Sequence, residues 1–237
     1  MSTASTTSAP AACWACGATL GSSALLCPSC GKVQPLGNID YYQVFGLDRK
    51  LGVDTPALER EFHRLSRKLH PDRFARATAQ EQEWSLAATA LLNDAYRILR
   101  DPIQRTEYLL KLSGLKIGEE NSGKSKSADR QPPADLLEEV FELNMQLEEM
   151  RRSKKMGEDE PELRRELMTA KDAFDEKMVQ AQEDLEALWR RWDAALEAHD
   201  EPAKLAARDA MVALLNKRSY LRNLVRDVNE VLSTATA

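Results

Sequence analysis

The stretch "ALEREFHRLSRKLHPDRF", Ala57 to Phe74, sets the fold class. Leu58, Phe62, Leu65 and Leu69 recur at spacings of four, three and four. That is one apolar stripe of an amphipathic helix, because 3.6 residues make a turn. Arg60, Arg64, Arg67 and Lys68 fall on a different face. Upstream, Asp54 or Thr55 can cap the helix, and Pro56 suits its first turn. Pro71 disfavours helical geometry at His70, so the helix is predicted to stop just before an exposed His70-Pro71-Asp72. A second amphipathic helix is predicted from about Thr78 to Arg100, with Trp84, Ala88, Leu91, Leu92, Ala95, Tyr96 and Leu99 as apolar candidates. Two such stripes joined by a tight polar loop make an antiparallel hairpin.

A lone histidine in a loop is most often simply solvated. A catalytic His/Asp pair needs a nucleophile or metal and a pocket around it, and the neighbours here are arginines on a helix face. No Gly-rich phosphate loop accompanies them. A basic face beside an exposed His-Pro-Asp fits docking onto an acidic protein surface, although a charged face taken alone is usually only solvated.

Working outward, the 237 residues suffice for one large domain or two to three small ones. Apolar residues make up 43% and charged residues 30%, Gly and Pro number 10 each, and no alternating β-branched runs occur. These features favour an all-α chain. A formal charge of -5 gives no general reason to expect nucleic-acid binding. No apolar run reaches the ~18 residues of a membrane helix. The opening "MSTASTTSAPAACWACG" lacks the basic and apolar regions of a secretory signal and the arginines of a mitochondrial presequence. A cytoplasmic protein with neither nucleic-acid nor membrane partners is the expectation.

Residues 1–12 are small and polar and are expected to be a disordered tail. Residues 13–36 hold "CWACGATLGSSALLCPSCG", in which Cys13/Cys16 and Cys27/Cys30 each have C-x2-C spacing. Gly17 and Gly31 follow the two pairs, where tight turns can aim N–H groups at sulfur. Four thiolates suit a structural Zn²⁺, and all four cysteines of the chain are used. Rubredoxin-like iron and a pair of disulfides are the alternatives, the latter disfavoured in a reducing compartment. A closed four-cysteine site leaves no position for a reactive water, which argues against a zinc-dependent hydrolase. The intervening loop has no Lys or Arg, which argues against a zinc ribbon on nucleic acid.

Residues 113–134 are rich in Gly, Ser, Lys and Pro and read as a linker. Residues 135–237 carry helical patterning broken at Gly157–Pro161 and His199–Pro202. Three helices of roughly 20, 38 and 30 residues follow, joined by short connections that favour a three-helix bundle. A coiled-coil adaptor also suits such long helices, but it leaves His-Pro-Asp unexplained.

In combination, "DYYQVFGL" (Asp40–Leu47), the basic helix, His-Pro-Asp and "NDAYRILRDP" (Asn93–Pro102) resemble a J-domain, over residues 38–112. The resemblance implies contact with an HscA/DnaK-type ATPase chaperone through His70, Pro71 and Asp72 and through Arg60, Arg64, Arg67 and Lys68. "IQRTEYLLKLSGL" and the three-helix region are similar to the HscB-type co-chaperones of iron–sulfur cluster assembly, some of which begin with "CWxCG" modules. The implied architecture is all-α: a J-domain helical hairpin and a C-terminal three-helix bundle, preceded by a small four-cysteine metal-binding module. The implied function is non-enzymatic, namely stimulating the chaperone's ATPase and delivering an IscU-type scaffold to it. A general J-domain co-chaperone for unfolded clients is the alternative.

On the family pattern, Leu137, Glu138, Phe141, Glu142, Met145 and Glu149 form the scaffold face, joined by Tyr220 on the last helix. Met145 stands where the family often has an acid. By periodicity alone, Leu137, Phe141 and Met145 would instead be bundle core.

Overall fold

The computed structural model describes residues 11–21, 23–115 and 132–233. The expected tail and linker therefore lie mostly outside the described residues, at 1–10 and 116–131. The chain divides into two compact units, Met1–Leu112 and Ser113–Ala237.

The first unit begins with a two-stranded antiparallel pair, β1 (Ala11–Ala12) and β2 (Thr19–Leu20), inside the cysteine module. Helices dominate thereafter. A one-turn α1 (Tyr41–Val44) starts at Asp40, whose carboxylate accepts from the Gln43 N–H while Gln43 reaches back to the Asp40 N–H. This reciprocal capping box satisfies two otherwise orphan donors. Helix α2 (Thr55–Leu69) is capped by Asp54, which accepts from the Ala57 N–H at 2.9 Å. A 3₁₀ turn, Pro71–Phe74, leads to α3 (Ala79–Arg100), which opens on a second capping box, Thr78 with Glu81. Helix α4 (Pro102–Leu112) closes the unit.

Leu58, Leu65 and Leu69 of α2 are buried, as are Ala88, Leu92, Ala95 and Leu99 of α3. Phe62 is half-buried and stacks on Tyr96 at 4.1 Å between ring centres. At the α3–α4 corner, buried Arg105 donates from Nη1 to the Leu99 carbonyl at 2.6 Å. Tyr108 stacks on Tyr41 at 4.4 Å, which ties α4 to α1.

The second unit contains a 3₁₀ turn (Ala134–Leu136), α5 (Leu137–Met156), α6 (Pro161–Glu197) and α7 (Glu201–Ser233). Gly157, at φ 74°, ends α5 in the left-handed region where a side chain would be strained. His199 adopts φ 56° between α6 and α7, and Asp200 then caps α7 by accepting from the Ala203 N–H.

The helices have 20, 37 and 33 residues. At 1.5 Å per residue, α5 spans about 30 Å and α6 about 55 Å. Three-helix packing is accordingly confined to one portion of the unit. There Leu136, Val140, Leu143, Leu147 and Met150 meet Leu167 and Phe174 of α6 and Leu221, Leu224 and Val228 of α7. Farther along, Ala181, Leu185, Trp189 and Trp192 are buried in the α6–α7 hairpin, outside that cluster. No described helix is long and apolar enough to cross a membrane.

Candidate functional site

His70 sits at the C-cap of α2 with φ -54° and ψ 129°, so the backbone leaves the helix there, as Pro71 requires. Its side chain is 54% exposed and that of Asp72 is 90% exposed. The imidazole Nδ1 accepts from the Asp72 N–H at 3.3 Å and lies 3.5 Å from the Asp72 carboxylate. Both side chains lie open to solvent, and the neighbouring cleft is lined by Lys68, Arg73 and Phe74 and not by His70 or Asp72. The loop is a rigid, solvent-facing corner.

Rigidity comes from behind the loop. The Leu69 carbonyl is left without a helical partner where α2 ends, and two hydroxyls of α3 supply donors: Ser85 Oγ at 2.7 Å and Thr89 Oγ1 at 3.1 Å. Ser85 and Leu69 are fully buried, and Phe74 anchors the far side of the loop in the core. Neither hydroxyl was among the residues that periodicity singles out, because Ser85 occupies a core-facing position that helical patterning assigns to an apolar side chain. Replacing Ser85→Ala together with Thr89→Val is expected to cost roughly 1–3 kcal/mol, the penalty for a buried unsatisfied carbonyl. Urea unfolding of the two proteins measures it, and an unchanged midpoint would contradict this anchoring role.

Arg60, Arg64, Arg67 and Lys68 are all exposed on α2. Arg64 grips Glu61 with a two-pronged ion pair, Nε to Oε2 at 2.6 Å and Nη2 to Oε1. This contact holds the Glu61 carboxyl below the usual range and raises Arg64 above its own. The other three cations have no described salt bridge.

The four cysteine sulfurs lie within 4.8 Å of one another. Cys13 and Cys30, and likewise Cys16 and Cys27, are 3.7 Å apart at sulfur. Tetrahedral coordination with bonds of about 2.3 Å places sulfurs ~3.8 Å apart, so the cluster fits a single ion. A disulfide would need about 2.05 Å, and all four cysteines are free, which sets the disulfide alternative aside.

Gly17 and Gly31 adopt φ 71° and 74°, and their N–H groups close onto the Cys13 and Cys27 carbonyls at 2.9 Å each. Buried Gln34 adds a side-chain N–H to Cys13 Sγ at 3.4 Å. Burial opposes ionisation of Cys13, yet the N–H groups of Ala15 and Cys16 and the neighbouring thiols bring its pKa down to about 6. Cys27 is lowered as well, whereas Cys16 is pushed up to about 12 and Cys30 is raised, so without a cation two of the four thiols ionise more readily than the other two.

The module is fastened to the start of α3. Lys32 Nζ meets the buried Glu81 carboxylate at 2.6 Å, which lowers the Glu81 pKa, and Lys32 also lies over the Trp14 ring. Trp14 packs edge-on against Trp84 at 5.7 Å and donates its indole N–H to the Val33 carbonyl at 2.8 Å.

In the second unit, Leu137, Phe141 and Met145 are 53%, 68% and 59% exposed. They form an i, i+4, i+8 stripe flanked by exposed Glu138, Glu142 and Glu149. The core stripe of α5 is the adjacent Val140, Leu143, Leu147 and Met150. The bundle-core reading of Leu137, Phe141 and Met145 is thus incorrect. Three large apolar side chains are kept in water on one helix face. Tyr220 differs from its expected position: it is only 4% exposed and packs in the core cluster. Its ring supports α5 from beneath and offers no face to a partner.

A basic helix, a His-Pro-Asp corner and a supporting α3 define the first unit as a J-domain. The DnaJ domain family matches residues 40–108. Among curated proteins, the chain is 29% identical over 165 residues to "Iron-sulfur cluster co-chaperone protein HscB homolog" of Arabidopsis thaliana, covering 69% of this chain and 62% of that protein. It is 36% identical over 141 residues to "Iron-sulfur cluster co-chaperone protein HscB" of Homo sapiens, covering 58% and 57%. The chain thus spans about three fifths of the length of these curated relatives. The crystal structure of human co-chaperone protein HscB superposes with a TM-score of 0.62 at 25% identity, covering 95% of this chain and 99% of that one. Chaperone HscB from Vibrio cholerae shares the fold, with a TM-score of 0.53 at 22% identity over 84% of this chain and 100% of that one. The chain thus carries a DnaJ domain over residues 40–108 and is similar in sequence and fold to HscB co-chaperones beyond it.

Proposed function

We propose that this protein is a co-chaperone of iron–sulfur cluster assembly with no active site of its own. It docks on an HscA/DnaK-type chaperone in the ATP state and biases that ATPase toward hydrolysis. The observation that carries the reading is the exposed His70-Pro71-Asp72 corner, held by Ser85 and Thr89 beside the exposed basic face of α2. Side chains this open to solvent suit recognition by a partner better than catalysis. A bias toward one nucleotide state of the partner is allosteric coupling, so that state must reciprocally alter the partner's equilibrium affinity for this chain.

The second unit binds an IscU-type scaffold through Leu137, Phe141 and Met145 with Glu138, Glu142 and Glu149 around them. Aromatic and methionine side chains supply contact area, and the carboxylates set orientation and partner charge. One chain carrying both surfaces raises the effective concentration of scaffold at the chaperone. The assay of this function is ATP turnover by the chaperone with the chain and the scaffold present. We place the protein in the cytoplasm.

The ion in the module is zinc, held by Cys13, Cys16, Cys27 and Cys30, because four thiolates in a closed tetrahedron suit structural zinc. Zinc would supply the folding energy that so short a segment cannot draw from a core, on the order of 10 kcal/mol apparent. One zinc per chain is expected by elemental analysis. Chelation should change the fluorescence of the Trp14–Trp84 pair while leaving the helical circular dichroism nearly intact. Iron in place of zinc, or an unchanged tryptophan signal after complete metal removal, would contradict this assignment.

A further inference from the structure

The cysteine module does more than sit upstream of the J-domain: it forms one wall of a cleft whose other wall is the basic face. The cleft encloses about 650 Å³, within the ~300–1,000 Å³ typical of ligand clefts. Ser23, Leu26 and Pro28 line the module side. Arg64 and Lys68 of α2 and Arg73 of the 3₁₀ turn line the opposite side. Between them, Phe45, Leu65 and Phe74 contribute apolar surface. Glu61 is the one carboxylate of the lining, and it is already bonded to Arg64. A chain of net charge -5 therefore gathers a locally positive, partly apolar cleft immediately beside His70-Pro71-Asp72.

The module wall is fixed in place. The Lys32–Glu81 pair and the Trp14–Trp84 contact fasten it to the first turns of α3, the helix whose Ser85 and Thr89 hold the loop. The cleft is continuous with the proposed chaperone-docking face, since Arg64 and Lys68 belong to both.

The geometry points to the four-cysteine module as a direct part of the chaperone-docking surface, with the cleft receiving an acidic segment of the ATPase chaperone that also carries an apolar side chain. This rests on the co-chaperone reading above. With Arg64 held on Glu61, Lys68 and Arg73 provide the charge complement, and the apolar floor provides burial. An ordinary brace would stiffen the J-domain without contacting the partner.

The test places charge on the module wall without replacing a cysteine ligand or a residue of the J-domain core. Ser23→Glu with Pro28→Glu, and separately Ser23→Lys with Pro28→Lys, are made in the full metal-loaded chain. Zinc content is verified for each, and affinity for the ATP-bound chaperone is measured by titration at low and high salt. The glutamate pair is expected to weaken binding by about fivefold to tenfold and the lysine pair to tighten it, with both effects shrinking at high salt. Misfolding cannot produce tightening, so the opposite signs separate contact from damage. No change with either pair, or equal weakening with both, overturns the proposal. His70→Gln is assayed alongside: lost stimulation there, with inert wall variants, removes the cleft and leaves the co-chaperone reading standing. Stimulation retained by His70→Gln removes that reading itself.

Discussion

His70→Gln reduces stimulation of the chaperone's ATPase to the unstimulated rate while the protein stays folded. The fold survives because the ring of His70 is half in solvent and contributes nothing to the core. What holds the loop is independent of the imidazole: two hydroxyls on the Leu69 carbonyl and the buried Phe74. The ring does two local things, accepting from the Asp72 N–H and lying beside the Asp72 carboxylate. Glutamine keeps polarity but cannot reproduce a planar ring at that corner. Thermal unfolding, shifted by less than a few degrees, and single-turnover ATP hydrolysis together check this expectation. Undiminished stimulation by the folded variant would refute the docking role of the loop.

The second large effect lies in the other unit. Leu137→Ala combined with Phe141→Ala is expected to weaken scaffold binding by roughly 10- to 100-fold, or ~1.4–2.8 kcal/mol, the range for losing one or two interface hot spots. Both side chains are more than half exposed in the free protein, so truncation removes little from folding. Alanine also favours the helix. Scaffold-independent stimulation by the full-length variant should equal that of the parent, since the J-domain is a separate compact unit. Isothermal titration with the scaffold measures the change. Scaffold affinity unaltered by both truncations would refute this face as the binding surface.

The contrast between Phe141 and Tyr220 shows what the sequence conveys and what it leaves out. Caps, breaks and stripes are local. Asp54, Thr78 and Gly157 each act on groups within a few residues, so their roles can be read directly along the chain. Helix α5 instead offers two apolar stripes offset by one residue, Val140-Leu143-Leu147 and Leu137-Phe141-Met145. Periodicity gives both stripes and does not say which one faces inward, because that depends on residues of α6 and α7 far along the chain. Tyr220 lies under α5 for the same reason: α5 covers only part of the long hairpin, and Tyr220 falls within that part.

Polar contacts across long separations are still harder to read. Ser85 and Thr89 look like interruptions of a helix pattern until the end of α2 is brought to them. Lys32 and Glu81 are 49 residues apart, and nothing in their local surroundings couples them. The cysteines lie at the other extreme, since C-x2-C spacing with a following glycine specifies its own turn. The structure adds the distances that separate a metal site from disulfides. The cleft beside the basic face has no sequence signature, because its walls come from the cysteine module, α1, α2 and the 3₁₀ turn.

Steady-state ATP turnover by an HscA-type chaperone, with the zinc-loaded chain and an IscU-type scaffold added singly and together, tests the central claim most directly. A co-chaperone that links the two partners predicts stimulation by the chain alone and a greater-than-additive increase when the scaffold is present. Stimulation indifferent to the scaffold would reduce the protein to a general J-domain co-chaperone. No stimulation by the folded, zinc-loaded chain would contradict the account at its root.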